Sequence, residues 1–269
     1  MLTIEMDNFD LGQICRSGQC FRMEQTEENQ YRVIAGDRFL ELSQERGVVN
    51  FDCSEEEFLS FWITYFDLDC DYGEYIRKVN PRDKYLMAAA DMGSGIRILN
   101  QDLWEMIVSF LISQQNHITR IRKCIDNICH EFGEKKISKS GEEYYAFPSP
   151  EALAQASEDE LKACNLGYRA KYVLDTARRV VSGEVSLDKI RNMKYKEARK
   201  ELLRLYGVGE KVADCICLFA LHQLDAFPVD THIRQVLDEH YKRGFPNRRY
   251  QGCKGVMQQY IFYYELECV

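Results

Sequence analysis

The sequence has no apolar run long enough to cross a bilayer. Its longest, residues 212–221, is broken by Asp214 and falls far short of the ~20 residues a span needs. The start, MLTIEMDNFD, has no basic stretch leading into an apolar one, which speaks against a secretory signal. There is no Arg-rich presequence and no basic nuclear-import run, so a cytoplasmic location is expected. Five prolines in 269 residues, with 45% apolar side chains, exclude bulk disorder and collagen-like repeats. No CxxC occurs among the eleven cysteines, and their number is odd. A secreted disulfide scaffold, a zinc site and an iron–sulfur site all need a more regular spacing. Most of these thiols are therefore expected to be reduced and packed as small hydrophobes. The five histidines show no HExxH spacing. Residues 67–73 carry the alternating acids of a calcium loop, but Tyr72 and Lys78 stand where that loop needs Gly and Glu.

What is present is a charge asymmetry. The net charge is −8. Residues 1–80 hold seven basic and seventeen acidic side chains, whereas residues 162–211 hold thirteen basic and six acidic ones. Such a basic stretch is compatible with a polyanion met by one face. On charge alone, solvated helix surfaces are the favoured reading.

The order of elements implies an α+β protein. Residues 31–35, 38–42 and 48–51 are short apolar or alternating segments punctuated by Gly36 and Gly47, as antiparallel hairpins require. Ser54 and Glu57 form a capping-box pattern ahead of FLSFWITYF. Helical periodicity dominates from about Gly95. Asp102, Asn116, Ser149, Ser157 and Asp230 stand where N-caps belong. The polar stretch 135–148 reads as a loop. The expected division is an N-terminal domain, 1–95, with a twisted antiparallel sheet and helices, then a two-lobed all-helical region, 96–269. A helix–hairpin–helix is expected at about 195–222.

The chemistry concentrates in LRLYGVGEKVADCICLFALHQLDAFPVDTHIRQVL. Gly207-Val208-Gly209 permits a tight turn between two helices. The amides of that turn and of the helix start can face a phosphate without reading a base. Many helical hairpins use glycine only to turn. Lys211 lies in the first turn of the second helix, where the helix dipole disfavours positive charge. A neutral amine is the form that attacks an electrophilic carbon. Taken alone, the residue reads better as a solvated first-turn lysine. Asp230 is a natural N-cap. From the same place a carboxylate can stabilise an oxocarbenium ion.

These residues resemble the helix–hairpin–helix, Gly/Pro-rich, aspartate superfamily of DNA glycosylases, and within it the 8-oxoguanine glycosylases. GVGEKVADCICLFAL, NLGYRAKYV at 165–173, SGQCFR at 17–22 and SFLISQQNHITRI at 109–121 carry the likeness in order. The resemblance implies a bifunctional glycosylase and lyase acting on double-stranded DNA with oxidised guanine. It implies Lys211 as nucleophile and Asp230 as catalytic carboxylate. The Gly18 carbonyl would read the lesion's N7 hydrogen, and Cys215 would contact the flipped base. Cys217 is expected in the core. Tyr168 matches the wedge, Arg169 and Arg120 the contacts to the orphaned cytosine, and Gln115 the residue that fills the vacated space. Gly207, Gly209 and His232 would meet phosphates. The carbonyls of Leu203, Leu205 and Val208 align with a monovalent-cation site.

The resemblance further implies no required cofactor and no iron–sulfur cluster, since only Cys253 and Cys268 follow Asp230. It implies no membrane association and a monomer. Gln114-Gln115-Asn116-His117 replaces the asparagine run of eukaryotic members. The short C-terminus resembles bacterial or archaeal forms and lacks the extension in which eukaryotic members carry a base-stacking aromatic. Alkylpurine glycosylases share the aspartate but not the lysine. A non-catalytic helix–hairpin–helix DNA-binding module would not need Lys211.

Overall fold

A computed structural model describes residues 1–268. A five-stranded sheet opens the chain: β1 Leu2–Glu5, β2 Met23–Glu27, β3 Gln30–Ala35, β4 Arg38–Glu45 and β5 Val48–Phe51, in the order β1-β5-β4-β3-β2. β1 and β4 both pair antiparallel with β5, Ile4 opposite Val49 and Glu45 opposite Val48. The last pair leaves a two-residue turn. Arg46 (φ 51) and Gly47 (φ 83) both adopt left-handed backbone there, the form that matches the twist of the strands. β3 buries alternate side chains, Tyr31, Val33 and Ala35, which is the period-2 signature of a one-sided sheet.

The early helices are α1 Leu11–Arg16, α2 Glu55–Glu57, α3 Ile63–Tyr65, α4 Tyr72–Lys78 and α5 Lys84–Met92. The middle of the chain supplies α6 Leu103–Ser113, α7 Ile118–Phe132, α8 Pro150–Gln155, α9 Glu158–Ala163, α10 Ala170–Val181, α11 Leu187–Arg191, α12 Tyr195–Leu202 and α13 Glu210–Phe219. α14 Thr231–His240 and α15 Lys254–Cys268 follow. No described helix is long and apolar enough to cross a membrane.

The chain forms two compact units, and neither is continuous. One contains Met1–Arg32, Leu40–Asn100 and the segment from His222 on; the other contains Val33–Phe39 and Gln101–Leu221. The sequence suggested one contiguous break at 95/96. Here α14 and α15 group with the N-terminal sheet, because α15 packs along α5.

In the first unit Trp62, Phe66 and Phe51 form the aromatic core, with Phe66 edge-on to Phe51 at 5.8 Å. Arg97 is buried among them. Its guanidinium stacks over Tyr72 at 4.4 Å and donates to the carbonyls of Asn8, Asp67 and Cys70, so each hydrogen bond offsets part of the cost of burying the charge. In the second unit α6 packs on α13. Asp214, at 10% side-chain exposure, accepts from Tyr195 Oη and Arg199 Nε, both at 2.7 Å. That cluster ties α12 to α13 and sets the angle of the hairpin between them.

Four local expectations change. The stretch 135–148 contains a two-stranded ribbon, β6 Lys135–Ile137 with β7 Glu143–Tyr145; its strands are short and polar, so periodicity is silent. β1 and β2 also escape the sequence pattern, β2 because four of its five residues are exposed. α7 begins at Ile118 after His117, and Asn116 spends its amide on the Ile112 carbonyl. Ser54 caps α2 as expected, but the Glu57 carboxylate takes the Trp62 indole N–H at 3.1 Å across a π-helical turn, Phe58–Trp62.

Candidate active site

Three groups of expected site residues emerge, each within one unit. The first is the face of α13. Gly209 is its N-cap, and Lys211 sits in the first turn, half-buried. The Lys211 ammonium lies 5.3 Å from the centre of the Phe110 ring. Phe110 itself stacks on Phe219 at 5.8 Å. No carboxylate among the described residues lies within ion-pair distance of Lys211. Its neighbours are thus an aromatic face and the start of a helix rather than a carboxylate. Cys215, one turn on, shares that face and is buried. Cys217 points into the core at 0% exposure, and burial pushes its thiol up to about 12.

The hairpin ahead of α13 is shaped for a phosphate. Gly207 holds φ +88 against the Tyr172 ring, where an added Cβ would come within 2.6 Å. The amides of Gly207 and Gly209 donate to no partner among the described residues. The carbonyl of Leu205 accepts only the Val208 amide, at 3.1 Å. Those of Leu203 and Val208 accept nothing among the described residues, so three carbonyl oxygens retain lone pairs.

The second group lies around α10. Tyr168 is 45% exposed. Arg169 is buried, and its guanidinium stacks on Tyr168 at 4.5 Å. It donates from Nε to the Gln114 carbonyl at 2.8 Å and from Nη2 to the carbonyls of Gln114 and Gln115. Gln115 itself holds φ +47, a strained state for a non-glycine residue. Arg169 is thus the brace of the Gln114–Gln115 turn, and contact with an orphaned base would require it to exchange some of these bonds. Arg120 is exposed on the first turn of α7.

The third group belongs to the other unit. Asp230 caps α14, its Oδ1 accepting the Ile233 amide at 2.8 Å, and His232 is exposed on the first turn. Gly18 holds φ +75. The residues on either side of it are locked. Buried Gln19 donates to Ser17 Oγ and to the Arg97 carbonyl and accepts the Leu99 amide, while Gln259 of α15 donates to the Ser17 carbonyl at 2.7 Å. The Gly18 carbonyl accepts no hydrogen bond among the described residues.

Residues 1–107 match the N-terminal domain of 8-oxoguanine DNA glycosylase, and residues 108–247 match the HhH-GPD superfamily base excision DNA repair protein model. The chain belongs to the HhH-GPD superfamily. Within that superfamily it is similar to Clostridium acetobutylicum 8-oxoguanine glycosylase/lyase, solved in complex with dsDNA containing cytosine opposite 8-oxoG. The identity is 39% and the TM-score 0.93, over 98% of this chain and 93% of that one. The Saccharomyces cerevisiae N-glycosylase/DNA lyase is 32% identical over 90% of this chain and 70% of its own. The 3-methyladenine DNA glycosylase of Archaeoglobus fulgidus shares the fold at 19% identity and a TM-score of 0.78, over 99% of both chains.

Two residues of this HhH-GPD chain escaped sequence reasoning. Phe262 of α15 lies against Gly18, close enough that a Cβ there would meet its ring at 2.9 Å. Gln258, one turn earlier, is buried with its side-chain oxygen unpaired. α15 is apolar around most of its circumference, so no periodic face marks them. The signal available was a lone glutamine and a phenylalanine at helical spacing. The concave surfaces on the outer side of α7, of about 440 and 310 Å³, contain neither Lys211 nor Cys215.

Proposed function

We propose that the chain is a bifunctional DNA repair enzyme that extrudes 8-oxoguanine from duplex DNA, excises it and nicks the strand. The observation that carries this reading is the Lys211 amine. Among the described residues it has no carboxylate partner, and it stands in the first turn of α13 directly after a hairpin with unspent amides. The similarity to glycosylase/lyases from a bacterium and a yeast supports the same chemistry.

The reaction follows from the residues. Lys211 Nζ attacks C1′ of the damaged nucleotide, and the N-glycosidic bond breaks with its electron pair leaving on the base. Asp230 opposes the positive charge that builds on the sugar. The C1′–N adduct opens to a Schiff base, whose positive nitrogen acidifies the C2′ hydrogen. Loss of that proton expels the 3′ phosphate by β-elimination. Gly18 selects the base: its unspent carbonyl accepts the N7 hydrogen that 8-oxoguanine has and guanine lacks. Phe262 beside it supplies an aromatic face for the flipped ring and Gln258 an unpaired acceptor, while Cys215 supplies a soft contact.

Tyr168 acts as wedge, Gln115 fills the gap, and Arg169 and Arg120 address the orphaned base. Gly207, Gly209 and His232 bind phosphates. The carbonyls of Leu203, Leu205 and Val208 suit a monovalent cation, which would anchor the hairpin. The enzyme acts as a cytoplasmic monomer and needs no redox or metal cofactor.

The deciding experiment is borohydride trapping on a duplex with one 8-oxoguanine opposite cytosine. Wild type should form a lesion-dependent covalent adduct. Lys211→Gln should lose it, with excision reduced by about 10³-fold or more. Folded, DNA-binding wild type that excises without forming an adduct would indicate a monofunctional glycosylase. Binding with no excision would indicate a non-catalytic module.

A further inference from the structure

Around α10 the Tyr168 wedge stands in a ladder of three tyrosines, of which Tyr172 and Tyr206 have no part in the proposed chemistry. The Tyr168 and Tyr172 rings meet edge to face, with centroids 5.8 Å apart at 78°. Tyr172 meets Tyr206 the same way, at 4.8 Å and 86°. Arg169 caps one end over Tyr168 at 4.5 Å. Lys171 closes the other, its ammonium 5.5 Å from the centres of both Tyr172 and Tyr206. Tyr168 and Tyr206 are 45% and 48% exposed, while Tyr172 is half-buried between them. Gly207 rests on the Tyr172 ring, so closely that no Cβ fits.

The geometry points to Tyr172 as a positioning residue that couples the phosphate grip of the Gly207–Gly209 hairpin to insertion of the Tyr168 wedge. This rests on the glycosylase reading above. One ring touches both parts: its face supports the hairpin turn, and Tyr168 packs against it edge to face. Close-packed aromatic contacts transmit displacement rather than absorb it. A hairpin drawn toward a phosphate therefore carries Tyr172 with it, and Tyr172 sets the height of the wedge. Tyr206 and Lys171 hold the ring from the hairpin side. A space-filling tyrosine would instead leave grip and wedge independent.

The test is a double-variant cycle on exposed positions, where folding is not at risk. Single-turnover excision of 8-oxoguanine opposite cytosine is measured for wild type, Tyr168→Ala, Tyr206→Ala and the pair. Each single variant should slow excision by about fivefold, and the pair by little more than either alone. Tyr172→Leu should abolish that coupling, and Tyr172→Phe, which keeps the ring, should restore it. A 2-aminopurine beside the lesion reports extrusion. Tyr172→Leu should lower its signal by about fivefold, with affinity for a tetrahydrofuran abasic analogue changed by less than about twofold.

Multiplying effects in the Tyr168/Tyr206 pair would overturn the coupling and leave the glycosylase reading intact, as would extrusion and affinity falling together in Tyr172→Leu. Wild type that excises no oxidised base removes the glycosylase reading first, and the coupling with it.

Discussion

Two turns with left-handed backbone stand among the proposed DNA-reading residues, and they are built in opposite ways. Gly18 (φ +75) is held by four side-chain hydrogen bonds to its neighbours and their surroundings, from buried Gln19 and Gln259. Gln115 (φ +47) is exposed, and the carbonyls of its turn are held from across the fold by two side chains, Arg169 and Tyr168. The first turn has to place a single carbonyl against a single hydrogen, and over-determination gives it that accuracy. The second has to enter a space that exists only after a base has left. A turn held by side-chain bonds that can be exchanged, from Arg169 and Tyr168, can move.

The largest effect expected from breaking this contrast is at Gly18. Gly18→Ala forces an L-residue into left-handed backbone, at about 1–2 kcal/mol, and drives its Cβ toward the Phe262 ring. The locked neighbours leave no room to relax, so the carbonyl has to shift. Single-turnover excision should fall by about 100-fold, while cleavage of a preformed abasic site, which needs no base reading, should fall far less. Equal losses on both substrates would show that Gly18 serves folding and not recognition.

The second effect is at Arg169. Arg169→Met keeps the stem but takes the guanidinium from the Gln114 and Gln115 carbonyls, leaving Gln114 with the Tyr168 hydroxyl alone and Gln115 without a donor. Loss of these charge-assisted bonds should cost about 2–3 kcal/mol in denaturant unfolding. It should also release the Gln115 turn, seen as faster amide exchange at residues 114–116. A variant as stable as wild type would mean that the turn is held from elsewhere, and the contrast between the two turns would fail.

The legibility of the molecule follows the range of its interactions. N-caps act within three residues, so Asp102, Ser149, Ser157 and Asp230 could be read from sequence, and each bonds as its spacing implies. The α13 face could be read because Lys211 and Cys215 are one turn apart. Partners distant in the chain could not. Phe262 meets Gly18, and Arg169 meets Gln114, only because the fold brings them together. Cap spacing also failed where another partner competed: Asn116 donated back to the Ile112 carbonyl, and Glu57 accepted the Trp62 indole N–H. The grouping of α14 and α15 with the sheet left no local mark, since helices report which face is apolar but not what covers it.

The smallest expected effect sharpens the comparison inside one helix, where Cys215 and Cys217 stand on opposite sides of α13. Cys217 is fully buried, and desolvation raises its thiol from an ordinary value near 9.0 to about 12. The folded state therefore keeps this thiol neutral when the unfolded chain has already ionised. Stability from this group is complete below pH 9 and is lost as pH rises from there toward 12, by about 1.4 kcal/mol per unit. Denaturant unfolding of wild type and Cys217→Ala across pH 8–10.5 should give curves that converge with rising pH, because the variant lacks this one titration. Parallel curves would show that Cys217 ionises as readily in the folded protein as in the unfolded chain. The face opposite Lys211 would then be open to water rather than packed as core.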